Sequence, residues 1–364
     1  MNSMAASYEK SLLKSAVEQL SVGEGTGLVL LKVIYSNGHL NSSFTESFCE
    51  VELEPDTLFY FLSIFRRGAL IIKNLYDSLA ENVEQSSGEE QAVQKLLSFL
   101  DNFGAHGRHL ASRKSRSEIE WTLQLCKHLF QELGSDEFIV DELSRDLGKV
   151  GSLEYRVCPC CQERLIGGVT NNTYIGHRKV WNGRLDVVLL GPDGNAVMPI
   201  NVESSLEIKY GRQSTVGKAQ TIAQSVVFSY FIKKVHPNLR NFLIPTITIT
   251  KDEVLFTFYD PVEDMLIQSE SMNLFDAASD MPEQLRIDTV VAVWLVLNYR
   301  LFGSGVCLDM IETGYKANFL AGKTEALNIY NNDLEFGVTI QSESLQSFAC
   351  TNEGVYKRTV KGDK

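Results

Sequence analysis

No run in this 364-residue chain approaches the ~20 consecutive apolar residues needed to cross a bilayer. The opening residues, MNSMAASYEKSLLKSAVEQL, lack a basic segment followed by an apolar one, so no secretory leader is expected. Positive charge is short: Lys and Arg total 34 against 46 acids, a formal net charge of −12. That balance argues against a general nucleic-acid coat protein, whose phosphate contacts need cations. It leaves a nuclease open, because acids can hold metal while a local basic patch holds the backbone. The 7 cysteines are odd in number and mostly scattered, which suits a reducing compartment better than a disulfide framework. The expected location is intracellular, cytoplasmic or nuclear, with no membrane partner. Internal repeats and low-complexity tracts are also missing.

What is present is an ordinary globular composition, 44% hydrophobic and 22% charged. The length leaves room for roughly two domains of about 150 residues. The most informative stretch runs from Thr173 to Lys234. TYIGHRKVW (173–181) reads as a strand, and Asn182-Gly183 is a strong hairpin-turn signal. RLDVVLL (184–190), the turn cluster GPDGN (191–195) and AVMPINVES (196–204) follow as strand, turn and strand. KAQTIAQSVVFSYFIKK (218–234) has helical spacing.

Two acids stand out in that stretch. Asp186 interrupts an apolar strand and Glu203 ends another. If Leu190 lies opposite Val197, then Asp186 faces Asn201 and Glu203 is its diagonal neighbour, roughly 7–8 Å away between backbones. Carboxylates so placed can share one hard cation. Burying them in an apolar sheet without a cation or a proton would cost several kcal/mol.

The residues Gly183-Arg184-Leu185-Asp186, Pro199-Ile200-Asn201-Val202-Glu203 and the glutamine-bearing helix Gln220 to Tyr230 resemble the PD-(D/E)XK nuclease superfamily. The resemblance covers about the middle third of the chain. It implies an α+β fold, an α/β/α sandwich with a restriction-endonuclease-like mixed sheet flanked by helices, whose core runs helix, three antiparallel strands, helix, strand. It further implies that Asp186 and Glu203 bind Mg2+ or Mn2+ and that a lysine two residues after the second acid helps activate water. Ser205 occupies that position here, so the lysine role passes to Lys209 or to Lys218. Glu207-Ile208-Lys209 is a literal acid-x-lysine, but Glu207 would sit about 13 Å beyond Glu203 at ~3.3 Å per residue, too far to share an ion with Asp186 without a bulge. The resemblance also implies an added acid from the helix before the first strand, where Glu118 and Glu120 stand; Glu118 is preferred. Gln220 would steady the site or the phosphate.

Outside this core the chain divides into a mainly helical N-terminal region (1–105), the nuclease-like core (106–270) and a C-terminal helical extension (271–364). In the first part, GLVLLKVIYSNG (27–38) reads as a buried strand, and the residues after Pro55 as a long helix whose Phe59, Tyr60, Phe61 and Phe65 are core. HGRHLASRKSR (106–116) carries Arg108, Arg113, Lys114 and Arg116 with no acid among them. It is either a phosphate contact or a solvated loop. EIEWTLQLCKHLFQEL (118–133) and DEFIVDELSRDLGKVGS (136–152) both read as helices. Cys158, Cys160 and Cys161, with His177 farther on, invite a zinc reading, but the second spaced pair of ligands is missing, which favours a turn with reduced thiols. Residues 241–270 read as strand, tight turn and strand, with room for a third strand after them, and with Thr246, Thr248 and Thr250 on an exposed face. Residues 286–303 form a core helix.

The expected function is metal-dependent hydrolysis of phosphodiester bonds, with DNA favoured over RNA; cutting duplex DNA at two sites would favour a homodimer. The alternative is a catalytically inactive nuclease-fold protein that binds nucleic acid or another protein. A third reading is an unrelated α/β domain in which Asp186 forms a buried pair with Arg184 or another base.

Overall fold

The computed structural model describes residues 2–22, 26–53, 58–77, 84–112, 118–134, 137–141, 158–163, 165, 168–191, 194–202, 215–250, 252–276 and 284–338. The chain forms a mixed sheet flanked by helices. Its strands are β1 (Gly27–Ser36), β2 (Cys49–Leu53), β3 (Phe138–Asp141), β4 (Gly168–Asn171), β5 (Val187–Leu190), β6 (Ala196–Val202), β7 (Ile244–Ile249), β8 (Glu253–Asp260) and β9 (Met265–Ser269). They lie in the order β2-β1-β9-β8-β7-β6-β5-β3-β4, with two short strands at Phe59–Tyr60 and Met272–Asn273 joining the side. Neighbours are antiparallel except β6 with β7 and β3 with β4. The N-terminal region thus contributes strands to this sheet as well as helices.

The main helices are α1 (Asn2–Val22), α2 (Arg66–Tyr76), α3 (Ser87–Asp101), α4 (Phe103–Ala111), α5 (Glu118–Leu125), α6 (Thr215–Val235) and α7 (Ile287–Leu297). Helix α6 joins β6 to the parallel strand β7 and lies against one face, where Thr221 meets Thr248 at 3.2 Å and Tyr230 packs on Tyr259. On the opposite face Phe61 and Phe65 stack at 5.3 Å and pack on Phe256 and Phe258. Helix α7 is buried along its length from Asp288 onward, with α1 packed on it and the Trp294 indole donating to the Ala92 carbonyl at 2.8 Å. No helix among the described residues is long and apolar enough to cross a membrane.

Coverage of both faces explains the largest departures from the sequence reading. The Thr-Ile alternation of β7 predicts one solvated face, yet all its residues are buried because α6 covers the threonines. Residues 138–141, expected within a helix, form the fully buried strand β3; its Phe-Ile-Val run is β-branched and aromatic enough to sit inside a sheet. The long helix expected after Pro55 is shorter, Arg66–Tyr76, preceded by a strand and a 3-10 turn. The helix over 286–303 breaks at Asn298, whose side chain donates to the Leu133 and Trp294 carbonyls at 2.9 and 2.8 Å.

TYIGHRKVW does not enter the main sheet, and Asn182-Gly183 is not a turn. Ile175–Gly176 and Trp181–Gly183 pair with each other in a separate small sheet with Ser42–Ser43 and Glu335–Phe336. The tight turn falls earlier, where Val180 N–H donates to the His177 carbonyl at 3.0 Å. Trp181 supplies the reason: its ring is fully buried on Phe319 and its Nε1 donates to Asn37 Oδ1 at 2.7 Å, so the strand must extend through it. Gly176 has φ 123°, and a Cβ there would stand 2.5 Å from the Trp181 carbonyl oxygen. Gly176→Ala is expected to cost about 1–3 kcal/mol, read as a lower denaturant midpoint at unchanged slope; an unchanged midpoint would show that the small sheet contributes nothing to stability.

Candidate functional site

The candidate site forms where β3, β5 and β6 end together. In the β3/β5 pair Val140 lies opposite Val187, and the next step brings Asp141 opposite Asp186, with Asp141 N–H donating to the Asp186 carbonyl at 3.0 Å. In the β5/β6 pair Ile200 lies opposite Val187, so one step on Asp186 faces Asn201. The expected pairing of Leu190 with Val197 is not observed: Leu190 pairs with Ala196, and a register shift before Met198 restores the alignment that aims Asp186 at Asn201. Asn201 in turn lies beside Thr248 of β7, on the face covered by α6. A row of polar side chains, Asp141, Asp186, Asn201 and Thr248, therefore crosses four strands on one face.

Each member of the row is held differently. Asp186 Oδ2 accepts from Val202 N–H at 2.9 Å. Asp141 Oδ1 accepts from Arg184 at 2.7 Å and lies 3.0 Å from the Thr173 hydroxyl, which is itself 2.6 Å from the Leu185 carbonyl. Arg184, expected as a partner for Asp186, thus stands on Asp141. From α6, Gln224 Nε2 donates to the Arg184 carbonyl at 3.4 Å. Among the described residues, both side-chain polar atoms of Asn201 are buried and lack a hydrogen-bond partner. Buried amides in native proteins nearly always have a partner. The Asn201 amide oxygen beside the Asp186 carboxylate is a hard donor of the kind Mg2+ or Mn2+ takes, so this pair fits such an ion.

The other expected site residues are distributed as follows. Glu203, Lys209 and Glu207 lie outside the described residues. Lys218 lies on α6, but its side chain is outside them. Gln220 is half-buried on α6, one turn before Gln224. Glu118 is exposed at the first position of α5, a helix that packs near β6. In the basic segment, Arg108 is exposed in the last turn of α4, and 113–117 lie outside the described residues. Asp141 was missed because the strand bearing it reads as a helix; the signal was its place after Phe-Ile-Val, which repeats the acid-bounded apolar run of Asp186.

A second group of donors lies elsewhere. His128, Cys158, Cys160 and Cys161 place their ligand atoms within 4.8 Å of one another, and among the described residues they form the one such group. The fourth member is His128, not the expected His177, which lies in the small sheet's turn. Burial, then the neighbouring His109, pushes His128 down to about 3 and His106 to about 4. Both rings are therefore neutral at pH 7, the state that carries a free nitrogen lone pair.

No family of known sequences, no curated protein and no solved structure matches the chain. Asp141→Asn is expected to cost about 2 kcal/mol by depriving the part-buried Arg184 of its charge partner. A double-mutant cycle with Arg184→Gln checks it, and a coupling near zero would mean that the pair does not hold β3 against β5.

Proposed function

We propose that this chain is a metal-dependent phosphodiesterase with a restriction-endonuclease-like fold, acting on nucleic acid. The observation that carries the reading is the order of elements around Asp186. Helix α5, strands β3, β5 and β6, helix α6 and strand β7 follow one another in that order, with other segments between them. The four strands are neighbours in the sheet in the same order, and only the last pair is parallel. This matches the helix, three antiparallel strands, helix, strand core of the PD-(D/E)XK superfamily. Asp186 precedes the second of the three strands, and Glu203 is the residue after the last of the third.

In this reading Asp186 and Glu203 hold one or two Mg2+ or Mn2+ ions, with Asn201 offering a neutral oxygen and Glu118 a further carboxylate. The bound cation supplies a water of lowered pKa and offsets charge on the phosphate. Lys209 or Lys218 orients the attacking water, Gln220 holds the phosphate, and Arg108 contributes charge for the backbone. Asp141 and Arg184 keep the end of β5 in place. DNA is the favoured substrate, with a homodimer where both strands are cut. The free thiols Cys49, Cys126, Cys158, Cys160, Cys161 and Cys307 agree with an intracellular setting.

One observation favours the second reading, an inactive nuclease-fold protein that binds nucleic acid or a protein: Ser205 stands where the superfamily carries its lysine. Cleavage of plasmid and single-stranded oligonucleotides in Mn2+ separates the two. The enzyme reading expects cleavage that falls on the order of 10³-fold in Asp186→Asn, since a lost metal ligand forfeits several kcal/mol of transition-state stabilisation. It also expects Mn2+ to raise the melting temperature of the wild type and not of this variant. A Mn2+ shift without cleavage of any DNA or RNA would select the binding module, and neither effect would remove the site at Asp186.

A further inference from the structure

The proposed hydrolysis leaves the cluster of His128, Cys158, Cys160 and Cys161 unused. Cys158 Sγ lies 3.1 Å from Cys160 Sγ, and His128 Nε2 lies 3.1 Å from Cys160 Sγ and 3.4 Å from Cys158 Sγ. A tetrahedral zinc with Zn–S of ~2.3 Å and Zn–N of ~2.0–2.1 Å sets ligand separations of about 3.8 Å between sulfurs and about 3.5 Å between sulfur and nitrogen. The observed separations differ from these by several tenths of an ångström, which side-chain rotation supplies.

The geometry points to a closed structural zinc site, Cys158, Cys160, Cys161 and His128, that fastens the loop at 158–163 onto the helix beginning at Glu118. Four protein ligands complete a tetrahedron and leave no position for a reacting water. Thiolates select zinc over magnesium, so this ion is distinct from any cation at Asp186.

The local backbone is built for it from both sides. Cys158 and Cys161 have the two-residue spacing of zinc-binding cysteine pairs. The turn that folds them together is closed by Gln162 N–H donating to the Cys158 carbonyl at 2.9 Å and Cys158 N–H donating to the Glu163 carbonyl at 2.8 Å. Gln162 sits at φ 61°, a conformation that a non-glycine residue holds only when its surroundings fix it. Across from the turn, His128 lies in a π-helical turn, Cys126–Phe130, a local widening that recurs at functional sites. His109 stacks on His128 at 4.3 Å and 10°, with its Nδ1 3.6 Å from Cys160 Sγ, and so orients the imidazole. Lys127, next to His128 in sequence, reaches Glu163 at 3.0 Å and so ties the helix to the end of the cysteine turn. The cysteines are unbridged, and Cys158 is fully buried.

The test uses the full-length protein, purified with reductant and without chelator from zinc-supplemented cells. Elemental analysis is expected to find about one zinc per chain, and a mercurial titration to release it as three thiols react. Cobalt substitution should give the intense visible bands of tetrahedral thiolate coordination. His128→Ala and Cys161→Ser should lose the metal while Asp186→Asn retains it. If the ligand variants fail to fold, the wild-type cobalt spectrum and mercurial titration decide. Wild-type protein that holds no zinc and whose three thiols alkylate freely, that holds iron instead, or whose cobalt form lacks the tetrahedral bands, would overturn the assignment.

Discussion

Strands β3, β5, β6 and β7 are covered on both faces, so a polar side chain on any of them is costly unless it finds a partner inside the protein or stands at the end of the sheet. That constraint sorts the polar residues of the core. Thr248 meets Thr221 of α6, and the Asp141 carboxylate is neutralised by Arg184. Asp186 sits where β5 begins, with one oxygen capped by a backbone N–H. Among the described residues Asn201 has no hydrogen-bond partner, and it lies directly beside Asp186. The polar row is therefore unsatisfied at one place, and that place is where the sheet's carboxylate stands.

The same crossover that covers the sheet assembles the site. Because β6 and β7 are parallel, the chain must return over the sheet, and α6 does so. Its buried Gln224 then reaches the backbone at Arg184, two residues before Asp186. The small sheet of Ile175–Gly176 and Trp181–Gly183 holds the approach to β5 from the other direction, through Thr173 and the buried Trp181. Residues far apart in sequence thus fix one short segment, 184–186, from two sides.

The cysteine turn and the acid row divide the molecule's polar chemistry by ligand hardness. Sulfur and imidazole gather beside the helix that starts at Glu118; carboxylate and amide oxygens gather at the strand ends. Two cations of different character would serve different ends, one holding a loop and the other meeting a phosphate.

Local pattern was enough to place α6, β6, β8, β9 and the helix at 118–133, because 3.6-residue and two-residue periodicities are properties of a single segment. It was enough to single out Asp186, since an acid inside an apolar run is costly wherever that run folds. It was also enough to bring Asp186 opposite Asn201, although the structure reaches that pairing through a bulge that pattern does not encode. Pairing between distant segments was beyond it. That FIVD is a strand and not a helix depends on β5 lying beside it, and that Asn182-Gly183 is not a turn depends on Trp181 finding Phe319. The sequence separation of 30 between His128 and Cys158 announces no shared site. Tertiary structure alone decided these, because burial and hydrogen bonding are supplied by partners that the local sequence does not contain.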